Sequence, residues 1–144
     1  MPIVTTGDLL KQLKAENVSY SQYLEENADS FVQKDIVAYW ENVLSQYKMK
    51  KIDIINKSDV GYTFFYDIIN GKKIPSRDTI CKIHLGLHAS LESCQTTLKF
   101  YDWAQLHPKT KRDSILIYGI EHSLSVNDVH NMLIENEEKP FKQI

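Results

Sequence analysis

GYTFFYDIINGKKIPSRD, residues Gly61 to Asp78, sets the reading of the whole chain. Phe65 and Ile68, with Val60 just upstream, fall on one side of a helix. Gly61, Tyr62, Thr63, Tyr66, Asp67 and Asn70 fall on the other. Gly71 follows, and glycine supplies the positive φ at which helices commonly end. Pro75 closes the short loop. Ser76 is placed to cap the next helix, with Asp78 and Thr79 in its first turn, where a carboxylate suits the dipole. Upstream, Lys50–Ser58 reads as a short helix with Ile52, Ile54 and Ile55 as its apolar positions. Ser58-Asp59-Val60-Gly61 reads as the turn between the two helices, aspartate being tolerant of the left-handed conformation.

Working outward, the same periodicity continues in both directions. Residues 5–17 predict a short amphipathic helix capped by Thr5 or Thr6, with Leu9, Leu10 and Leu13 on one face. Ser19 caps a second helix carrying Tyr20, Tyr23 and Leu24. A third runs through residues 28–48 with Ile36, Val37, Trp40, Val43, Leu44 and Tyr47 as its stripe. Beyond the opening stretch, residues 77–88 place Ile80, Ile83 and Leu87 inward. Residues 90–104 place Leu91, Cys94, Leu98, Tyr101 and Trp103 inward. A basic loop, His107 to Asp113, leads to a closing helical hairpin whose last helix is capped by Ser125. The tail from Glu137 is expected to fray.

These elements predict an all-α chain of about eight helices, with no alternating strand pattern and no fixed-period repeat. Residues 1–47 form an N-terminal helical extension packed on the core, its last helix (33–47) belonging to that core. Residues 48–105 form the central domain, and residues 106–144 the C-terminal hairpin and tail. A hydrophobic content of 42% supports a core, and only 5 Gly and 4 Pro favour helices over a many-turned sandwich.

The net charge of −2 argues against a generic nucleic-acid binder, but its distribution is uneven. Residues 1–47 hold three lysines against seven acids (−4); residues 48–82 hold eight basic residues against four acids (+4); the rest hold six against eight (−2). Positive charge concentrates around the opening stretch, as in a phosphate-facing element of an otherwise acidic protein.

Two helices joined by a tight turn, a Gly-ended helix, a Pro loop and two further helices have helix-turn-helix geometry. Lys50 to Glu92 resembles the helix-turn-helix domain of phage repressors and Cro proteins, the XRE class. The most specific part is NGKKIPSRDTICKIHLGLHASLE. The whole chain resembles a compact all-helical subfamily, found largely in gram-positive bacteria, with the GKxxPSRD segment (Tyr66–Asp78 here), a later pair of helices opening on Lys-Arg-Asp (Lys111–Val126) and a short N-terminal helical extension. The resemblance implies a phage-repressor-like core flanked by N-terminal helices and a C-terminal hairpin. It also implies a cytoplasmic, sequence-specific DNA-binding transcriptional regulator.

In such proteins the outward positions of the second helix enter the major groove. Thr63 then meets a base edge or a thymine methyl, while Tyr62 and Tyr66 reach phosphate, sugar or methyl groups. Asn70, Lys72 and Lys73 grip phosphate after the helix. Lys50 and Lys51 combine charge with free N–H groups at the start of the preceding helix. Gly61 and Arg77 complete the expected set. Asp67 dissents: it is repelled by phosphate unless it accepts from a cytosine amino group. Phe64, if exposed, suits a protein partner better. The alternative is therefore an adaptor module on the same fold, binding a protein through Tyr62, Phe64 and Tyr66. Dimerisation through residues 112–136 or the N-terminal helices would match paired half-sites about 34 Å apart.

No catalytic motif is present, and no enzyme activity or cofactor is expected. His84 and His88 are four residues apart, but no further ligand at matching spacing completes a metal site. Cys81 and Cys94 fit reduced core thiols. No apolar run reaches the roughly 20 residues of a membrane span, and the N-terminus lacks signal-peptide character.

Overall fold

The computed structural model describes residues 5–27 and 34–142. Among them are nine helices and no strand: α1 (Thr6–Lys14), α2 (Tyr20–Glu26), α3 (Ile36–Ser45), α4 (Lys51–Ser58), α5 (Tyr62–Ile69), α6 (Arg77–Leu87), α7 (Leu91–Phe100), α8 (Lys111–Glu121) and α9 (Val126–Glu135). The all-α expectation of about eight helices holds. The expected start of the third helix, residues 28–33, lies outside the described residues. The chain divides into two compact units, residues 1–34 and 35–144.

In the first unit, α1 and α2 form a short hairpin. Thr5 caps α1 in a reciprocal box with Asp8, and Ser19 caps α2 by accepting from the Gln22 amide. The Asn27 amide donates to Gln12 Oε1 at 2.6 Å and ties the two helices together.

The second unit is built around α6. Residues 80–87 are buried on every side, so α6 is a central helix rather than the one-sided helix its apolar spacing suggests. Ser76 caps it, accepting from the Thr79 amide, and His88 ends it in the left-handed conformation (φ 51°). Ile83 and Leu87 face one cluster, with Trp40, Val43, Ile54, Ile55, Val60, Phe65 and Ile68. Ile80, Cys81 and Leu85 face a second, with Cys94, Leu98, Leu106, Leu116, Val129 and Leu133. The α4–α6 crossing is close: a Cβ on Gly86 would lie 2.8 Å from the Ser58 backbone nitrogen, so this position needs glycine. Cys81 and Cys94 are free core thiols, the Cys94 thiol donating to Cys81 Sγ at 4.0 Å.

Polar bonds lock α3 onto this framework. Trp40 Nε1 donates to the Tyr101 hydroxyl at 2.7 Å, and the Tyr39 and Thr97 hydroxyls lie 2.8 Å apart. His84 is fully buried, with Nδ1 2.8 Å from the Ile80 carbonyl and Nε2 3.3 Å from Thr97 Oγ1. The carbonyl can only accept, so Nδ1 carries the proton. Burial holds the imidazole pKa down at about 4, against a smaller upward pull from that carbonyl.

Four expectations about burial are corrected. Val37 and Ile52 are exposed, because each falls just off the face its helix turns to the core. Trp103 lies past the end of α7 and is 40% exposed, its indole N–H donating to the Pro75 carbonyl and its backbone amide to the Leu98 carbonyl. The tail does not fray at Glu137: Phe141 is 3% exposed and belongs to the second cluster.

Candidate nucleic-acid interface

α4 and α5 are joined by Asp59, Val60 and Gly61. Asp59 takes the left-handed conformation (φ 56°), and Val60 is buried as the hinge contact. Phe65 and Ile68 are wholly buried, and Ile69 nearly so, which fixes the rotation of α5. That rotation leaves Tyr62 (59% exposed) and Thr63 outward at the start of the helix, with Tyr66 and Asp67 half-buried below them. Tyr62 and Thr63 are exposed, as their helical position predicts; Tyr66 and Asp67 are less accessible than helical spacing alone predicts. Tyr66 is screened by its neighbours: its ring lies 4.8 Å from that of Tyr62, and Lys51 Nζ sits 5.8 Å above it.

Neither helix start is sealed. Lys50 and Gly61 are the N-cap residues of α4 and α5, and neither supplies a side-chain cap. Lys50 and Lys51 are exposed beside the first of these ends. After α5, Gly71 adopts φ 79°, and the Asp67 carbonyl accepts from the amides of Lys72 and Lys73. This fold-back leaves Asn70, Lys72 and Lys73 exposed.

Arg77 departs from the expected set. Its guanidinium is bound in a bidentate pair with Asp113 (2.7 and 2.9 Å) and donates further to the carbonyls of Ala104 and Gln105. A side chain committed to four bonds inside the fold is not a phosphate contact. Its counterpart is Arg112, paired bidentately with Asp78 (2.8 Å each) and donating through Nε to the Lys139 carbonyl. The two Arg-Asp dipeptides, one opening α6 and one opening α8, thus clasp each other reciprocally. Burial opposes ionisation of Asp113. Hydrogen bonds from Arg77 and the His107 amide, with the charges of Arg77 and Arg112, outweigh it and hold the carboxyl below its usual range. Each arginine is raised further by its carboxylate partner.

This clasp is what sequence reasoning missed. Its signal was present, since Arg-Asp occurs twice, each time in the first turn of a helix. Also missed was Lys82, whose side chain in α6 is only 7% exposed. Among the described residues no group of three His, Cys, Asp or Glu side chains is placed to hold a metal ion. His84 and His88 share no site, since the former is sealed in the core and the latter caps α6 at the surface. No helix of the described residues is long and apolar enough to cross a membrane. Comparison with protein-family models, curated proteins and solved structures returns no match.

Proposed function

We propose that this chain is a sequence-specific, cytoplasmic DNA-binding regulator, with α4 and α5 as a phage-repressor-like helix-turn-helix and α5 as the helix entering the major groove. The observation that carries the reading is one surface. Tyr62 and Thr63 stand outward at the open N-terminus of α5, Lys50 and Lys51 are exposed at the start of α4 with Lys51 Nζ 5.8 Å from the Tyr66 ring, and Asn70, Lys72 and Lys73 are exposed just past the C-terminal end of α5. Exposed lysines near an outward-facing helix are suited to phosphates beside a groove. The resemblance of Lys50–Glu92 to the XRE class supports the same reading. Thr63 takes the base-edge role and Tyr62 a phosphate or methyl role. Arg77 is left out.

The second reading, a protein-interaction module, is favoured by Tyr62 and by Ile74, which is 74% exposed in the loop after α5. Duplexes tiled across the DNA flanking the chain's own gene separate the two. A DNA binder gives log affinity falling linearly with log salt, and Lys72→Ala with Lys73→Ala lowers that slope by about 2 and weakens all duplexes alike. Absence of binding at about 50 mM salt, with capture of one protein lost in Tyr62→Ala, establishes the interaction module instead.

A further inference from the structure

Lys82 poses a question that the DNA surface does not answer. Its side chain is only 7% exposed, and Nζ makes a long ion pair rather than a short hydrogen bond. The nearest carboxylate oxygen is Asp59 Oδ2 at 4.0 Å, on a side chain that is 76% exposed. The Phe141 ring lies 5.9 Å from Nζ. No fully buried side-chain nitrogen or oxygen is left without a partner among the described residues, so Nζ must reach an opening rather than a sealed interior. Lys82 lines a cavity of about 510 Å³ together with Val60, Gly61, Phe64, Trp103 and Lys142. Its size falls within the range of small-molecule sites.

The charges around the cavity are not balanced. Arg77 and Asp78 also line it, but each is already committed to the clasp, to Asp113 and Arg112 respectively. Lys139 and Lys142 stand at the rim and are exposed. Of the cations that line the cavity, Lys82 is thus the buried one not engaged by the clasp, and its ion pair with the exposed Asp59 is long, at 4.0 Å. Burial lowers the Lys82 pKa, partly offset by Asp59 and Asp78, the behaviour of an ammonium short of counter-charge. A largely buried lysine whose ion pair is long and with an exposed carboxylate has capacity left for an anionic ligand. The opposite wall is apolar and aromatic: Val60, the Phe64 ring and the Trp103 indole. This also accounts for Trp103, which the core does not use.

We infer that the cavity between α5, α6 and the C-terminal tail is a binding site for a small organic carboxylate with a flat apolar body, the carboxylate meeting Lys82 and the body lying between Phe64 and Trp103. One buried ammonium matches a monoanion; a phosphate dianion would need more inward donors than Lys82 alone. Gly61 and Phe64 lie at the start of α5, so the occupant touches the first turn of the proposed recognition helix. The site stands on its own geometry and does not require that α5 bind DNA.

The test uses 2-naphthoate as probe, with 2-naphthalenemethanol as its neutral counterpart and inorganic phosphate as the bare anion, followed by amide and indole NMR shifts on the full chain. Saturable shifts at Gly61, Phe64, Thr79 and the Trp103 indole are expected with naphthoate, with the alcohol and phosphate each at least about tenfold weaker. Lys82→Met keeps the stem and removes the charge, and should lose naphthoate binding about tenfold or more. Phe64→Ala, which keeps Lys82, should weaken it as well, so the inference stays open to refutation if Lys82→Met does not fold. No saturable binding at millimolar naphthoate, equal binding of the alcohol, equal binding of phosphate, or unchanged affinity in both variants overturns the inference.

Discussion

On one side of α6, Ile83 and Leu87 close a cluster with side chains from α3, α4 and α5. On the other, Ile80, Cys81 and Leu85 close a second with α7, α8, α9 and Phe141 of the tail. The first cluster is assembled from neighbouring stretches of chain and held by apolar fit, with Phe65 at its centre. The second gathers residues as far apart as Ile80 and Phe141, and its rim is fastened by the reciprocal Arg77–Asp113 and Arg112–Asp78 pairs. Shape therefore maintains the half that presents α5, and charge helps to maintain the half behind it. The two halves should fail under different insults.

The sharpest way to break that contrast is to open a cavity on each side. Phe65→Ala empties the first cluster and should cost about 3–5 kcal/mol, while Leu116→Ala in the second should cost about 2–5 kcal/mol. Because α6 belongs to both, each variant should still unfold in one urea transition, shifted to lower midpoint with an unchanged slope. Two separate transitions in either variant would show that the halves melt independently.

Acid should act next, and first at the seam between the halves. His84 sits in α6 with Trp40 on one side and Thr97 on the other. Its folded pKa of about 4 lies below its ordinary 6.5, so the unfolded chain takes up its proton first as pH falls. Its contribution is full above about 6.5, declines as pH falls, and is gone below about 4, a loss of about 3 kcal/mol. In His84→Gln the extra decline of unfolding free energy between pH 7 and 4.5 should largely vanish. If it persists, the seam is not the acid-sensitive element.

The clasp should come third. Asp113→Ala leaves Arg77 without its carboxylate in a partly buried setting and should cost about 2 kcal/mol, below the value for a fully buried pair because Arg77 retains some solvent access. Asp78→Ala should cost less, since that carboxylate is about one-third exposed. The Asp113 pKa is depressed below 3.8, so its contribution is complete above that value and is lost as pH falls through the lower folded value. Titration by tryptophan fluorescence should therefore show the His84 loss before the Asp113 loss, and a reversed order would be evidence against this assignment of the two windows.

The first cluster was legible in the sequence because it obeys local rules. The i, i+3 spacing of Phe65 and Ile68, the left-handed Asp59, the glycine at 71 and the cap at Ser76 each act within a few residues, and the structure has them all. The second half was legible as helices but not as packing. Nothing local says that Phe141 returns to the core after a polar tail, or that an arginine beside a basic loop turns inward to an aspartate 36 residues away. Sequence alone therefore places Arg77 in the expected DNA-binding set. Lys82 was invisible for a similar reason: on a one-sided helix it would be solvated, and only the burial of α6 on every face makes it a buried charge.

The smallest expected effect on folding, and the most informative for α5, is at Asp67. The fold uses its backbone, since the carbonyl accepts from the amides of both Lys72 and Lys73. Asp67→Ala preserves that carbonyl and should change unfolding free energy by no more than about 0.5 kcal/mol. Its carboxylate lies on the same helix as Tyr62 and Thr63, one turn further along. If α5 enters a groove, removing that charge relieves repulsion with phosphate, and affinity for nonspecific duplex should rise at low salt. If Asp67 also accepts from a cytosine amino group, discrimination between duplexes should fall in the same variant. Measuring both on one set of duplexes distinguishes a bystander charge from a reading one. An unchanged affinity for every duplex, alongside an intact fold, would mean that this face of α5 does not meet DNA.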